Sequence, residues 1–214
     1  MKTAFVGLLC MTVLCSATLF AGDKAKVAYV TPTSTVHIPD VEPAGLTKIY
    51  SNLGPTTDAY NDAIGFYILG PKSSFGFTQS SALPFTPTAD STVTLVKVPI
   101  QWYNDGSSDV ARVSIYSDSS GVPGTLLGGP VGFKPPAGFT CCALSAVQFK
   151  TGVSVTAGTQ YWVVVDTPAS SNTDAIWLVV YPTPIAGYNQ DSSGWLQNIG
   201  YEVEPAGAVY GTVP

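Results

Sequence analysis

The feature that most constrains this chain is a rhythm of short apolar–polar alternations, each closed by Gly, Pro, Asn or Asp. In "STVTLVKVPIQWY", Val96, Val98, Ile100 and Trp102 share one face of an extended strand, while Lys97 and Gln101 lie on the other. In "DVARVSIYSD", Ala111, Val113 and Ile115 point inward and Arg112, Ser114 and Tyr116 outward. The intervening "NDGSSD" holds Asp-Gly, a hairpin signal. "KIYSNL" and "GFYILG" read as strands around the polar loop "GPTTDAYNDAI", and "SSGVPGTLLGGP" as a turn-rich connection with a short strand at its end. Val147 and Phe149 fall in register, and "TAGT" marks a turn before "QYWVVVD". "DAIWLVVYP" is apolar on both faces, which places it centrally in a sheet, and "GWLQNIGYEVE" is expected to close a sheet near the N-terminal strand. No segment carries a helical period, heptads or an internal repeat. The prediction is an all-β fold: a single β-sandwich with jelly-roll-like antiparallel topology.

The first residues, "MKTAFVGLLCMTVLCSATLFAGDKAK", combine Lys2, an apolar stretch from Ala4 to Val13 and beyond, and small residues at Ser16, Ala17, Ala21 and Gly22. This is the pattern of a secretory signal cleaved near Ala21 or Gly22. A membrane anchor needs about 20 apolar residues, and Ser16 and Thr18 interrupt this run. Leu9 before Cys10 and Leu14 before Cys15 do not suit lipoprotein processing. The expected organisation is a signal peptide (1–22), an extended N-terminal arm broken by Pro32, Pro39 and Pro43 (23–45), a sandwich domain (46–205) and a C-terminal tail (206–214). A secreted or cell-surface location follows from the signal, with no transmembrane segment expected in the mature chain.

Cleavage removes Cys10 and Cys15, leaving the adjacent Cys141 and Cys142. On a regular strand these would point to opposite faces, with Cα atoms about 3.8 Å apart, below the usual disulfide range of about 4.4–6.8 Å. A bond between them requires a turned backbone, which the preceding "PPAGFT" supplies. The alternative is two small buried hydrophobes. With no other partner in the mature chain and an oxidising compartment, the vicinal disulfide is preferred.

Without Lys2, eight Lys and Arg face 14 Asp and Glu, a net charge of −6. That balance argues against a phosphate-tracking nucleic-acid binder. Gly121, Gly124, Gly128 and Gly129 lack the Gly-Lys-Ser/Thr and following helix of a phosphate loop. His37, the only histidine, lies in the proline-rich arm rather than in a Ser–His–Asp arrangement. No metal or other cofactor is expected, since two adjacent cysteines cannot supply a tetrahedral set. The Asp-rich loops offer oxygen ligands of the kind Ca²⁺ takes, but none completes a calcium-loop pattern. Asp58, Asp62, Asp105, Asp109, Asp118, Asp174 and Asp191 sit in polar turns where capping accounts for them, and Glu202 and Glu204 read as a solvated strand edge. The expectation is therefore not an enzyme. Binding is better supported. "YNDGSSD", "YSDSSG" and "GYNQDSSGW" place Tyr or Trp beside Asn, Asp and Ser, the mixture that meets a sugar's apolar face and its hydroxyls. Trp102 and Trp177 lie in strand patterns and read as core. The candidate binding residues are Tyr103, Asn104, Asp105, Tyr188, Asn189, Asp191 and Trp195, with Tyr188 and Trp195 the better surface candidates.

At "IYSNLGPTTDAY", "VSIYSDSSGVPGTLLG", "GFTCCALSAVQF" and "VTAGTQYWVVV" the chain resembles the bacterial choice-of-anchor domain proteins, closest to type R, from about Lys48 to Glu204. The resemblance implies an exported β-sandwich on bacterial surfaces and supplies no established activity or catalytic residues. The end, "EPAGAVYGTVP", departs from the family's sorting signal, which points to release or non-covalent attachment. The expected function is extracellular binding or adhesion, with a glycan or another cell-surface component as partner. A structural matrix role is the alternative, and a divergent hydrolase the third reading.

Overall fold

A computed structural model of the protein describes residues 25–29, 40–54, 60–103, 110–136, 144–181, 186–191, 194–198 and 203–214. Its strands, in chain order, are β1 (Val27–Tyr29), β2 (Thr47–Ser51), β3 (Asn61–Leu69), β4 (Gln79–Phe85), β5 (Ser91–Val98), β6 (Ile100–Trp102), β7 (Ala111–Asp118) and β8 (Pro123–Phe133). They continue with β9 (Ser145–Val155), β10 (Tyr161–Asp166), β11 (Asp174–Val180), β12 (Ala186–Gln190), β13 (Leu196–Asn198), β14 (Glu204–Pro205) and β15 (Ala208–Thr212). Among the described residues there is no helix, and the paired strands run antiparallel.

A smaller sheet of order β2-β15-β5-β9 faces a larger, curled one whose main path is β14-β11-β3-β4-β10-β7-β8. The chain crosses between them repeatedly: β4 is in the larger sheet, β5 in the smaller, β7 and β8 in the larger, β9 in the smaller and β10 in the larger. That alternation is the jelly-roll arrangement, so the all-β sandwich read from the sequence is the fold. Alternating side chains from both sheets meet in one core. It includes Leu83, Val96, Val98, Val113, Ile115, Val147, Phe149, Val163, Trp177 and Val209.

Several local expectations fail for reasons of tertiary structure. The run read as one long strand breaks at Pro99, which has no N–H for a ladder. β5 stays in the smaller sheet, whereas β6 pairs with β11 in the larger. The Asp-Gly turn lies outside the described residues, but the strands flanking it form no hairpin: β7 pairs with β8 and β10. "GVPGTLLGGP" is mostly strand, the start of β8, whose register on β7 slips repeatedly. Bulges, glycines and a proline on an edge strand discourage pairing with another chain. "GWLQN" pairs with β12 through β13 rather than with β1, although Val203 does reach Ala25 and Val27 beside β3. Ser114 faces outward as read but is buried there, because Val164 beside it lies under a second apolar cover.

The largest correction concerns residues 206–214. They are not a tail. β15 is an interior strand of the smaller sheet, between β2 and β5, with Ala208, Val209 and Tyr210 buried. Gly211 is required there, because a Cβ at that position would lie 1.9 Å from the Thr92 carbonyl oxygen.

Candidate functional site

Between β3 and β4 the chain leaves the sheet as "GPKSSFGFT", residues 70–78. The main chain of 171–174 holds the start of this loop: Gly70 N–H donates to the Thr173 carbonyl (2.9 Å) and Lys72 N–H to that of Ser171 (2.8 Å). Ser74 follows, donating its hydroxyl to the Asp174 carboxylate at 2.7 Å and its N–H at 3.3 and 3.4 Å. Gly76, at φ +73°, supplies a left-handed backbone between two phenylalanines. Phe75 and Phe77 thereby meet Tyr67 of β3 at ring separations of 4.9 and 6.1 Å. Tyr103, just past β6, completes the cluster at 5.4 Å from Tyr67 and 5.3 Å from Phe75. The rings are tilted or edge-on to one another, the arrangement their quadrupoles favour. All are partly exposed.

The surroundings are polar and well paired. The buried Gln79 side chain accepts from Lys26 N–H (2.8 Å) and donates to the carbonyls of Lys26 (2.9 Å) and Tyr67 (3.1 Å), tying the entry to β1 onto the cluster. The Lys26 ammonium sits 4.0 Å from the centre of the Phe77 ring, a cation–π contact. Burial, a hydrogen bond with Tyr103 and the nearness of that second phenol push Tyr67 up to about 12. At the far end of the loop, Asp191 (φ +50°) accepts from Thr78 N–H at 2.8 Å, and its own N–H donates to the Thr78 carbonyl at 3.2 Å.

Two sequence-predicted groups therefore meet on a loop to which the sequence pattern drew no attention. Tyr103 and Asp191, far apart in the chain, flank residues 70–78. Asn104 and Asp105 lie outside the described residues, as do Cys141 and Cys142. Asn189 occupies a strand position opposite Ser80. Tyr188 is not a surface residue: only 3% exposed, it packs with Phe66, Val179 and Val203 because β12 is flanked by β4 and β13. Trp195 is half-buried against the cluster of Ala82, Trp162 and Val164, on a different patch from Tyr103. Tyr67, Phe75, Phe77 and Lys26 were missed. The available signal was two phenylalanines astride a glycine in a Ser-rich turn.

The described carboxylates have structural partners. Asp118 caps its turn through Gly121 N–H (3.1 Å), as expected, and also accepts from Gln160 (2.7 Å) and the Trp162 indole (2.8 Å). Burial would raise Asp118, but these donors together hold it below the usual carboxylate range. Glu204 is 4% exposed and accepts from Asn52 at 2.8 Å, so it is not a solvated edge. Glu202, Asp58, Asp105 and Asp109 lie outside the described residues. Among the described residues no group of three or more His, Cys, Asp or Glu is placed to hold a metal ion, and no helix is long and apolar enough to cross a membrane.

A concavity of about 560 Å³ lies elsewhere, between β8 and β9, lined by Leu127, Val131, Phe149 and Lys150 among others. Its Gly128 and Gly152 are explained by packing, because a Cβ on either would run into Val153 or Thr92. No protein-family model matches the chain, and no curated protein matches it either.

Proposed function

We propose that this protein is an exported, non-enzymatic binding domain of a bacterial surface, and that it takes a neutral saccharide on Tyr67, Phe75, Phe77 and Tyr103. The observation that carries the reading is the cluster of partly exposed rings at the loop beside β3 and β6, bordered by serines and tyrosine hydroxyls. Rings already packed on each other lose little freedom when a ligand arrives, which favours affinity. Nearby charge is balanced, with Lys26 and Lys72 against Asp174 and Asp191, so an uncharged ligand fits better than a polyion.

A glycan array with the mature chain, followed by calorimetry, tests this. Phe77→Ala and Tyr103→Ala should each weaken a positive saccharide about tenfold or more, which is about 1.4 kcal/mol, while the protein stays folded. If the unaltered protein binds no saccharide, the cluster is a small core under its loop and the structural matrix role is the better reading. Export and the Cys141–Cys142 disulfide belong to the same proposal. The intact mass of exported protein should begin near Gly22 or Asp23 and show no alkylatable thiol before reduction.

A further inference from the structure

One residue touches both halves of the aromatic platform. Asp174 opens β11 opposite Leu69, the last residue before the 70–78 loop. Its carboxylate accepts the hydroxyl and N–H of Ser74, the residue before Phe75. Its main-chain carbonyl accepts Tyr103 N–H at 2.7 Å. Asp174 is 3% exposed, and a carboxylate taken that far from water needs donors to compensate. The Ser74 hydroxyl and N–H are among those donors, so burying the acid and closing the loop are coupled.

We propose that Asp174 is the positioning residue of the platform, its side chain clamping Ser74 while its backbone holds Tyr103, so that Phe75 and Phe77 are delivered to the Tyr67–Tyr103 pair. The role as a ligand-binding device rests on the saccharide reading above; the clamp itself does not. The remaining anchors divide the loop unevenly. Gly70 and Lys72 are fastened to 171–173, and Thr78 to Asp191, which is exposed. The stretch Phe75-Gly76-Phe77 hangs between the Ser74 and Thr78 clips, and its glycine makes it the part with most freedom to lose. Without the buried clip, Phe75 loses the anchor next to it, and Phe77 is left with the Ser73 hydroxyl on its carbonyl, the Lys26 contact and the exposed Asp191 clip at Thr78.

The test uses the full chain and a readout that needs no ligand. At pH 11 Tyr67, at about 12, is roughly one-tenth ionised. Released from the cluster it returns toward about 10 and becomes mostly ionised. Tyrosine-labelled NMR spectra, with the Tyr67 signal assigned by Tyr67→Phe, follow this directly. In Asp174→Ala, Tyr67 should be mostly ionised at pH 11, and the Phe75 and Tyr103 rings should no longer pack together. Ser74→Ala should move partway, and Asp174→Asn, which can still accept from Ser74, should retain most of the wild-type signature. Asp40→Asn, a carboxylate elsewhere, should leave Tyr67 unchanged. For any saccharide bound by the wild type, the dissociation constant should rise at least tenfold in Asp174→Ala. Should that variant not fold, Ser74→Ala decides, since its side chain is exposed. The proposal is overturned if Tyr67 stays protonated and the rings remain packed in the folded variants. A platform that comes apart in a protein binding no saccharide would sink the saccharide reading and leave the clamp standing.

Discussion

The two sheets draw on the same apolar residue types but bury them differently. In β9 of the smaller sheet, Val147, Phe149, Val153 and Val155 face the core while Ala146, Gln148, Lys150 and Ser154 are exposed. In β11 of the larger sheet every residue from Asp174 to Val180 is buried. The larger sheet has apolar cover on its outer face: Ala28 and Ala206 over Ile176 and Leu178, and Trp195 against Trp162. The smaller sheet is fastened on its outer face by charge. Asp40, its side chain 4% exposed, accepts Lys97 at 3.0 Å, Lys48 at 3.2 Å and the hydroxyl of the buried Tyr210. A sheet covered on both sides reads as continuous apolar sequence, and one covered on a single side reads as alternation.

The sharpest break between the two is expected from side-chain truncation on the outer faces. Trp162→Ala, on the outer face of the larger sheet, should destabilise by about 3–5 kcal/mol, whereas Gln148→Ala on that of the smaller should stay within about 0.5 kcal/mol. Urea unfolding measures both, and a near-neutral Trp162→Ala would show that the apolar cover contributes little.

A middle-sized effect should come from the Asp40 fastening. Burial alone would raise this carboxyl, but the hydrogen bonds from Tyr210, Lys97 and Lys48, with the Lys97 charge, hold it below the usual range. Its contribution is therefore present above an unfolded value of about 3.9 and is lost as pH falls through the lower folded value. Asp40→Asn should cost about 1.5–3 kcal/mol near neutral pH and flatten the acid limb of stability against pH. An unchanged acid limb would remove Asp40 from the account.

The smallest effect belongs to the Arg112–Asp166 fork across β7 and β10, with both hydrogen bonds at 2.8 Å. Here burial wins, and Asp166 lies above the ordinary carboxylate range despite Arg112. The sign is opposite to that of Asp40: this group's contribution is fullest below the unfolded value and is lost as pH rises through the folded one. A double-mutant cycle on the pair should give a coupling of about 0.2–1 kcal/mol that shrinks with salt.

Sequence by itself determined what is local. Alternation named the inward faces of β5, β7 and β9, the doubly apolar run named β11 as interior, and "TAGT" turns as expected, with Thr159 N–H bonded to the Thr156 carbonyl. Strand formation and face depend on neighbours along the chain, so these are legible in one dimension. Tertiary structure decided which strand meets which, and what covers the outer faces. It sent β6 to a different sheet from β5 across Pro99 and drew residues 208–212 into the smaller sheet. It also buried Tyr188 and Glu204, and brought Tyr103, Asp174 and Asp191 to one loop. Those outcomes depend on pairing and cover by residues distant in sequence, and no local period encodes which distant partner completes a hydrogen bond or removes a face from water.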